Sequence, residues 1–271
     1  MRRMVVDTSY LERPELQSYF KKSSKNRVVV ADYTAIEMYK CEDVLALSKR
    51  ISIIRHYESQ IDIMKSTYHV CAMRGRRARL QNRLIDDFQT SIFPQFIRSL
   101  DCAVAGDVRS LSAFSEHAEA AKNQVQSMLQ ASEIVISGMV EMYNSFSAAD
   151  LLSIRGGREI DVALTAHATR DILAMANSFF QSHSNVRVIP NAFELPYTYL
   201  YRVAVSVYFY TLDRAKDGIA LNLSLAKVRN DMIDIYTLAY GTLFDGLFSR
   251  DDRANRVFKL VKRYLEIHKI T

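Results

Sequence analysis

The sequence predicts an α/β protein, a parallel sheet flanked by helices, with a large all-helical insertion. Three observations carry this expectation. Two short β-branched runs near the start each close on an aspartate and are followed by helical spacing. From about Ser66 to His183 helical periodicity runs almost unbroken, with no convincing strand. Finally, 8 Gly and 4 Pro in 271 residues leave few breakers. Alternation of strand and helix argues for a parallel sheet covered by helices. Such sheets collect functional residues at the carboxyl ends of their strands.

The elements follow in order. Met4-Val5-Val6 is a short buried-strand run ending on Asp7. Thr8 to Ser23 carries apolar residues at helical spacing, with Pro14 tolerated in an opening turn. Arg27 to Ala31 is a second β-branched strand ending at Asp32, and Tyr33 to Tyr39 returns to helical spacing. Glu42 to Tyr57 continues as an amphipathic helix. Ala118 to Tyr143 reads as one long helix, its apolar side expected to bury inside the chain or against a second copy. Gly156-Gly157 breaks the pattern, and Glu159 to Phe180 resumes it. Val203 to Tyr210 is a buried strand or a helix segment, because periodicity does not arbitrate over so short a run. Asn230 to Tyr240 is helical and Gly241 ends it. Leu243 to Ser249 makes a final short strand, and Asp252 to His268 a closing amphipathic helix. The expected organisation is a core in two parts, 1–65 and 191–271, with the helical insertion over 66–190. A separate helical domain is the rival arrangement.

Composition narrows the function classes. With 49% hydrophobic and 24% charged residues the chain reads as globular. Lys+Arg 36 against Asp+Glu 30 gives a net charge of +6, which permits an anionic partner without demanding one. Cys41, Cys71 and Cys102 form no CxxC pair, so neither a disulfide framework nor zinc spacing is expected. No histidine stands at HExxH or HxxxH spacing. The apolar runs are far below the ~20 residues of a membrane helix. The start breaks its apolar run too early for a signal peptide. A reduced, cytoplasmic protein with no membrane segment is the expectation. No GxxxxGK[ST], GxGxxG or GxSxG occurs, which speaks against a nucleotide-driven motor, a kinase or a serine esterase.

Four acids occupy suggestive places. Asp7 follows a strand, Glu37 lies one turn into the helix after the second strand, Asp231 begins a helix, and Asp251 follows the last strand. Acids at strand ends and helix starts can converge at one edge of a parallel sheet. Carboxylate oxygens are hard ligands suited to Mg²⁺ or Mn²⁺. Such a cluster stays ionised only if cations offset its repulsion. The bland alternative is helix capping and surface solvation.

The wording around these acids resembles that of PIN-domain nucleases. Val5-Val6-Asp7-Thr8-Ser9-Tyr10-Leu11 is similar to the strand and Asp-Thr/Ser that open the family, and Val29 through Glu37 to its second strand and acid-bearing helix. Asn230-Asp231-Met232-Ile233-Asp234 resembles the third element, and Phe244 through Asp251 the fourth, a strand closing on Ser/Thr-x-Asp. The resemblance covers roughly residues 1–60 and 200–271 and leaves the helical middle unexplained. It implies a PIN-like fold in which Asp7, Glu37, Asp231 and Asp251 hold one or two Mg²⁺ or Mn²⁺ ions and hydrolyse phosphodiesters, leaving 5′-phosphate and 3′-hydroxyl ends. Thr8 and Ser249 are expected to orient carboxylates. Asp234 is either a metal ligand or a solvated neighbour, and Asp245 and Asp252 are caps or mark the site's margin. On the resemblance alone RNA is expected over DNA, and a toxin or defence role with an inhibitory protein partner is in keeping with it.

Arg74, Arg76, Arg77, Arg79 and Arg83 place five positive charges in ten residues. On a helix, 76, 79 and 83 would share a face, a candidate for contact with nucleic-acid phosphates. The alternative is a solvated face paired with Asp86, Asp87, Asp101 and Asp107. The aromatics of Tyr197 to Tyr210 are expected to be core rather than base-stacking. Two rivals come from other classes. A haloacid-dehalogenase-like phosphatase needs a second Asp where Ser9 stands. A non-catalytic PIN-like RNA-binding or scaffold subunit would keep the fold without the chemistry.

Overall fold

The computed structural model describes residues 1–40, 43–149, 152, 162–216 and 224–268. Four strands form one all-parallel sheet in the order β3-β2-β1-β4: β1 (Arg2–Val6), β2 (Asn26–Val30), β3 (Ile61–Ile63) and β4 (Leu247–Phe248). Met4 pairs with Val28, Val5 with both Val29 and Leu247, and Val29 with Asp62. Alternate residues serve opposite faces. Val5, Val29 and Leu247 enter one hydrophobic core, while Val6, Val28, Val30 and Ile61 enter the other. Each fully buried valine contributes about 1.5–3 kcal/mol, which explains why both runs are uninterrupted β-branched residues.

The helices are α1 (Pro14–Lys22), α2 (Asp32–Tyr39), α3 (Val44–Arg50), α4 (Thr67–Cys71), α5 (Leu80–Leu84), α6 (Asp87–Val104), α7 (Val108–Asn144), α8 (Val162–Ser182), α9 (Tyr199–Lys216), α10 (Leu225–Leu243) and α11 (Asp252–Ile267). The α1, α3 and α6 helices cover one sheet face; α9, α10 and α11 cover the other. Among the described residues of 66–190 there is no strand, only the isolated bridge of Ile85 to Met64. The long α7 packs on α2, α6 and α10, and α8 packs on α9, so these helices share the core of the sheet. Ala121, Met128 and Met139 of the expected apolar side of α7 are buried within the chain. The predicted break at Gly156-Gly157 lies outside the described residues.

Several expectations are corrected. Thr8 to Ser23 is not one helix: a 3₁₀ turn (Thr8–Tyr10) precedes α1, which begins at Pro14. The helix expected through Tyr57 ends at Arg50, and after a 3₁₀ stretch the unforeseen strand β3 follows. Its middle residue, Asp62, is 2% exposed and bonded by Arg3 (2.8 Å) and Arg27 (2.7 Å), so a charged residue hid a buried strand. Val203 to Tyr210 lies within α9, a helix apolar nearly all round because α8, α10 and α11 enclose it. Asp231 is two turns inside α10, whose N-cap is Ser224. Gly241 does not stop that helix. Its missing Cβ lets α10 approach β4, since a Cβ there would stand 3.0 Å from the Leu247 Cβ and 3.1 Å from the Phe258 ring. The final strand is correspondingly cut to Leu247–Phe248.

Candidate active site

From β1 the chain steps to β2 and β3 on one side and is later returned to the other side of β1 by β4. The crevice between the carboxyl ends of β1 and β4 is therefore the topological switch point, where open α/β sheets bind ligands. Asp7 leaves β1 there, and Asp251 lies just beyond β4.

Two hydroxyls lock the crevice around Asp7. Ser249 donates to Asp7 Oδ2 at 3.0 Å and accepts the Asp251 amide at 3.1 Å. Ser9 donates to the same carboxylate and accepts the Arg250 amide at 3.1 Å. Each hydroxyl thus ties the turn after β1 to the turn after β4. Burial raises the Asp7 carboxyl above its ordinary range, Ser9 draws it down, and the negative charge of Glu37 raises it again.

Glu37 reaches the same place through α2. Thr34 donates to the Val6 carbonyl at 2.9 Å, pinning α2 to the end of β1, and Glu37 follows one turn on. The Thr8 hydroxyl donates to Glu37 and lies 3.3 Å from Asp7 Oδ1, so it bridges the two acids. Lys40 pairs with the other Glu37 oxygen at 3.1 Å. Thr8 and Ser249 therefore stand where orienting donors were expected.

Asp231, the expected third acid, has partners of its own. Asp231 faces α9, where Tyr210 donates to one oxygen at 2.9 Å and Arg214 forms a buried ion pair with the other. Asp231 ties α9 to α10, and both its oxygens are engaged. Asp234, one turn on, faces the other acids. Its pKa is pushed up to about 8, first by burial and then by Asp251, Asp7, Asp231 and Glu37 in that order. The charges of Asp251, Asp7, Asp231 and Glu37 thus all act on Asp234. Asp251 is exposed and caps α11, accepting the Ala254 amide at 2.6 Å. Asp252 is exposed beside it. Asp245 sits at the opposite, amino edge, accepting from the Arg3 amide at 2.6 Å and from Gln81 at 3.1 Å, so it does not border the site.

Beside the acids opens a cavity of about 460 Å³ lined by Thr8, Ser9, Glu12 and Glu37, with Arg13, Lys40, Arg50 and Arg250 around it. Sequence reasoning missed these four cations because each comes from a different turn or helix. Ser9 stands two residues after Asp7 and Arg250 directly before Asp251, and that proximity was the available signal. The arginine-rich stretch, by contrast, is not a helix face. Only 80–84 is helical, Arg79 has a left-handed backbone, and Arg83 donates to the carbonyls of Arg74 and Arg76. It runs toward the amino edge, where Asn82 meets Arg3. Arg3 and Asp7 are four residues apart along β1, about 13 Å at ~3.3 Å per residue. Of the aromatics of Tyr197 to Tyr210, those from Tyr199 onward are buried core, as expected, while Tyr197 is half-buried.

Among the described residues, no three His, Cys, Asp or Glu side chains stand as a ready-made metal-ligand set. Nor, among them, is any helix long and apolar enough to cross a membrane. Comparison with protein families, with curated proteins and with solved structures gives no match.

Proposed function

We propose that the chain is a metal-dependent nuclease with a PIN-like core, an endoribonuclease that hydrolyses phosphodiester bonds at the Asp7, Glu37, Asp234 and Asp251 cluster. The carrying observation is the Asp7 and Glu37 pair bridged by Thr8 at the switch point, whose charges with those of Asp231 and Asp251 raise Asp234, beside a cavity edged by four cations. The all-parallel β3-β2-β1-β4 order, with acids at its carboxyl edge, supports the PIN-like reading.

The donor set fits a divalent cation. It is made wholly of hard oxygens, which suit Mg²⁺ or Mn²⁺. Asp234 stands partly buried among four other acids, so it needs either a proton or a cation. Asp7, Glu37, Asp234 and Asp251 would hold the ion, with water completing the shell, as magnesium retains several waters. When bound, such an ion activates water and neutralises charge building on the phosphate. The chain's own part is orientation and charge. Ser9 and Ser249 fix the Asp7 carboxylate, Thr8 holds Glu37 against it, and Arg13, Lys40, Arg50 and Arg250 offer donors to phosphate oxygens.

The test is cleavage of labelled single-stranded RNA and DNA with Mn²⁺, Mg²⁺ or EDTA, beside Asp7→Asn and Asp234→Asn. Metal-dependent cutting of RNA lost in both variants is the expected result. The second reading is a non-catalytic RNA-binding or scaffold subunit with the same fold. RNA binding with no cutting in either metal would select it.

A further inference from the structure

The arginine-rich turn between α4 and α5 is held by its own residues. Arg83 donates to the Arg74 carbonyl at 2.7 Å and to the Arg76 carbonyl at 3.1 Å. Gly75 is buried against the 194–198 segment, where a Cβ would stand 1.8 Å from the Glu194 carbonyl oxygen, so glycine alone fits. Arg79 occupies the left-handed region at φ +53°, unfavourable for any residue with a Cβ. The result of this shaping is that Arg77 and Arg79 line a cavity of about 590 Å³ at the amino edge of the sheet.

Arg202 of α9, Lys262 of α11 and Arg3 of β1 line the same cavity, so five cations from four parts of the chain meet a single carboxylate, Asp245. That carboxylate is already occupied by the Arg3 amide and Gln81. Arg3 is bonded to Asp62, and Lys262 lies 3.9 Å from Glu266 at the surface. Arg202 is 4% exposed and donates through Nε to the Pro196 carbonyl at 2.8 Å. Burial lowers its pKa to about 10, and the neighbouring Tyr201 and Tyr197 raise it in part. The half-buried rings of Tyr197 and Phe258 line the cavity beside these charges, with the buried Phe244 and Leu265 behind them.

We infer that this cavity binds a small organic phosphate bearing a flat apolar group, the chemistry of a nucleoside phosphate, remote from the carboxylate cluster. Arginine forks match phosphate oxygens, and aromatic rings accept a planar base. The volume lies in the ~300–1,000 Å³ range of small-molecule sites.

The experiment is calorimetric titration of the whole protein in EDTA with ADP, adenosine, inorganic phosphate and a short RNA lacking terminal phosphates. ADP should bind, and adenosine and phosphate should each bind at least about tenfold more weakly. An Arg77→Ala, Lys262→Ala double variant changes two exposed residues, so it should keep the wild-type melting temperature while losing at least about tenfold in ADP affinity. Asp7→Asn should leave ADP binding unchanged, which separates this site from the nuclease proposal. No binding of ADP at millimolar concentration overturns the inference. So does an unaltered double variant, phosphate binding as tightly as ADP, or a preference for the RNA.

Discussion

Replacing Asp234 by Asn gives a test of the acidic cluster that does not depend on finding the substrate. Asp234 has a carboxyl whose pKa rises from 3.8 in the unfolded reference to about 8 in the folded chain. Below about pH 4 it is protonated in both states and adds nothing to the pH dependence. From pH 4 to 8 the unfolded chain has lost the proton that the folded chain keeps, so each pH unit destabilises the fold by about 1.4 kcal/mol. Above pH 8 both states are ionised and the penalty stays constant. The full window would amount to about 6 kcal/mol, and because the partly exposed carboxyl retains some water we expect about 2 kcal/mol. Urea unfolding of the two proteins in EDTA between pH 5 and pH 9 measures it. Wild type should lose stability as pH rises relative to Asp234→Asn, and the variant should be the more stable at the alkaline end. Mn²⁺ should restore wild type and do far less for the variant. Parallel pH profiles, or equal stabilisation of both by Mn²⁺, would refute the electrostatic convergence of the acids.

Asp231→Ala should behave in the opposite sense, losing about 3–5 kcal/mol at neutral pH in urea unfolding because Arg214 is left buried and unpaired. A loss below about 1 kcal/mol would mean that Arg214 reaches water. Gly241→Ala should cost about 1–3 kcal/mol by overpacking against Leu247 and Phe258, read as a lowered melting temperature. Arg13→Ala and Arg250→Ala should each weaken RNA binding and reduce the slope of log affinity against log salt by about 1, whereas Arg74→Ala should leave both unchanged. Equal effects of all three would return the arginine-rich stretch to the RNA path.

Much of the architecture was legible because short-range pattern carries it. Uninterrupted β-branched runs ending on Asp7 and Asp32 mark strands that must be buried on both faces, and the structure keeps both. Pro14 opens α1 because its missing amide is harmless in a first turn. Signals failed where a residue's partner came from far along the chain. Asp62 disguised β3 because its neutralising arginines lie 35 and 59 residues away. Gly241 imitated a helix stop because the β4 surface that requires its small size follows only after a turn.

The site divides along the same line. Residue order alone placed Asp7 and Glu37 at strand and helix ends, and named Thr8 and Ser249 as donors beside acids. Those positions follow from backbone periodicity, which each segment carries within itself. The sequence put Asp231 in the ligand set and Asp234 beside it, although three residues on a helix separate them by less than one turn. Packing tells them apart. The α9 helix brings Arg214 and Tyr210 to Asp231, while the charges of Asp7 at the end of β1 and Glu37 on α2 act on Asp234. The arginine-rich stretch, likewise, had charge without address until tertiary contacts with Arg3 and Glu194 carried it to the amino edge. Local pattern says which residues can ionise, bond or bury; only the assembled chain says which of them face one another.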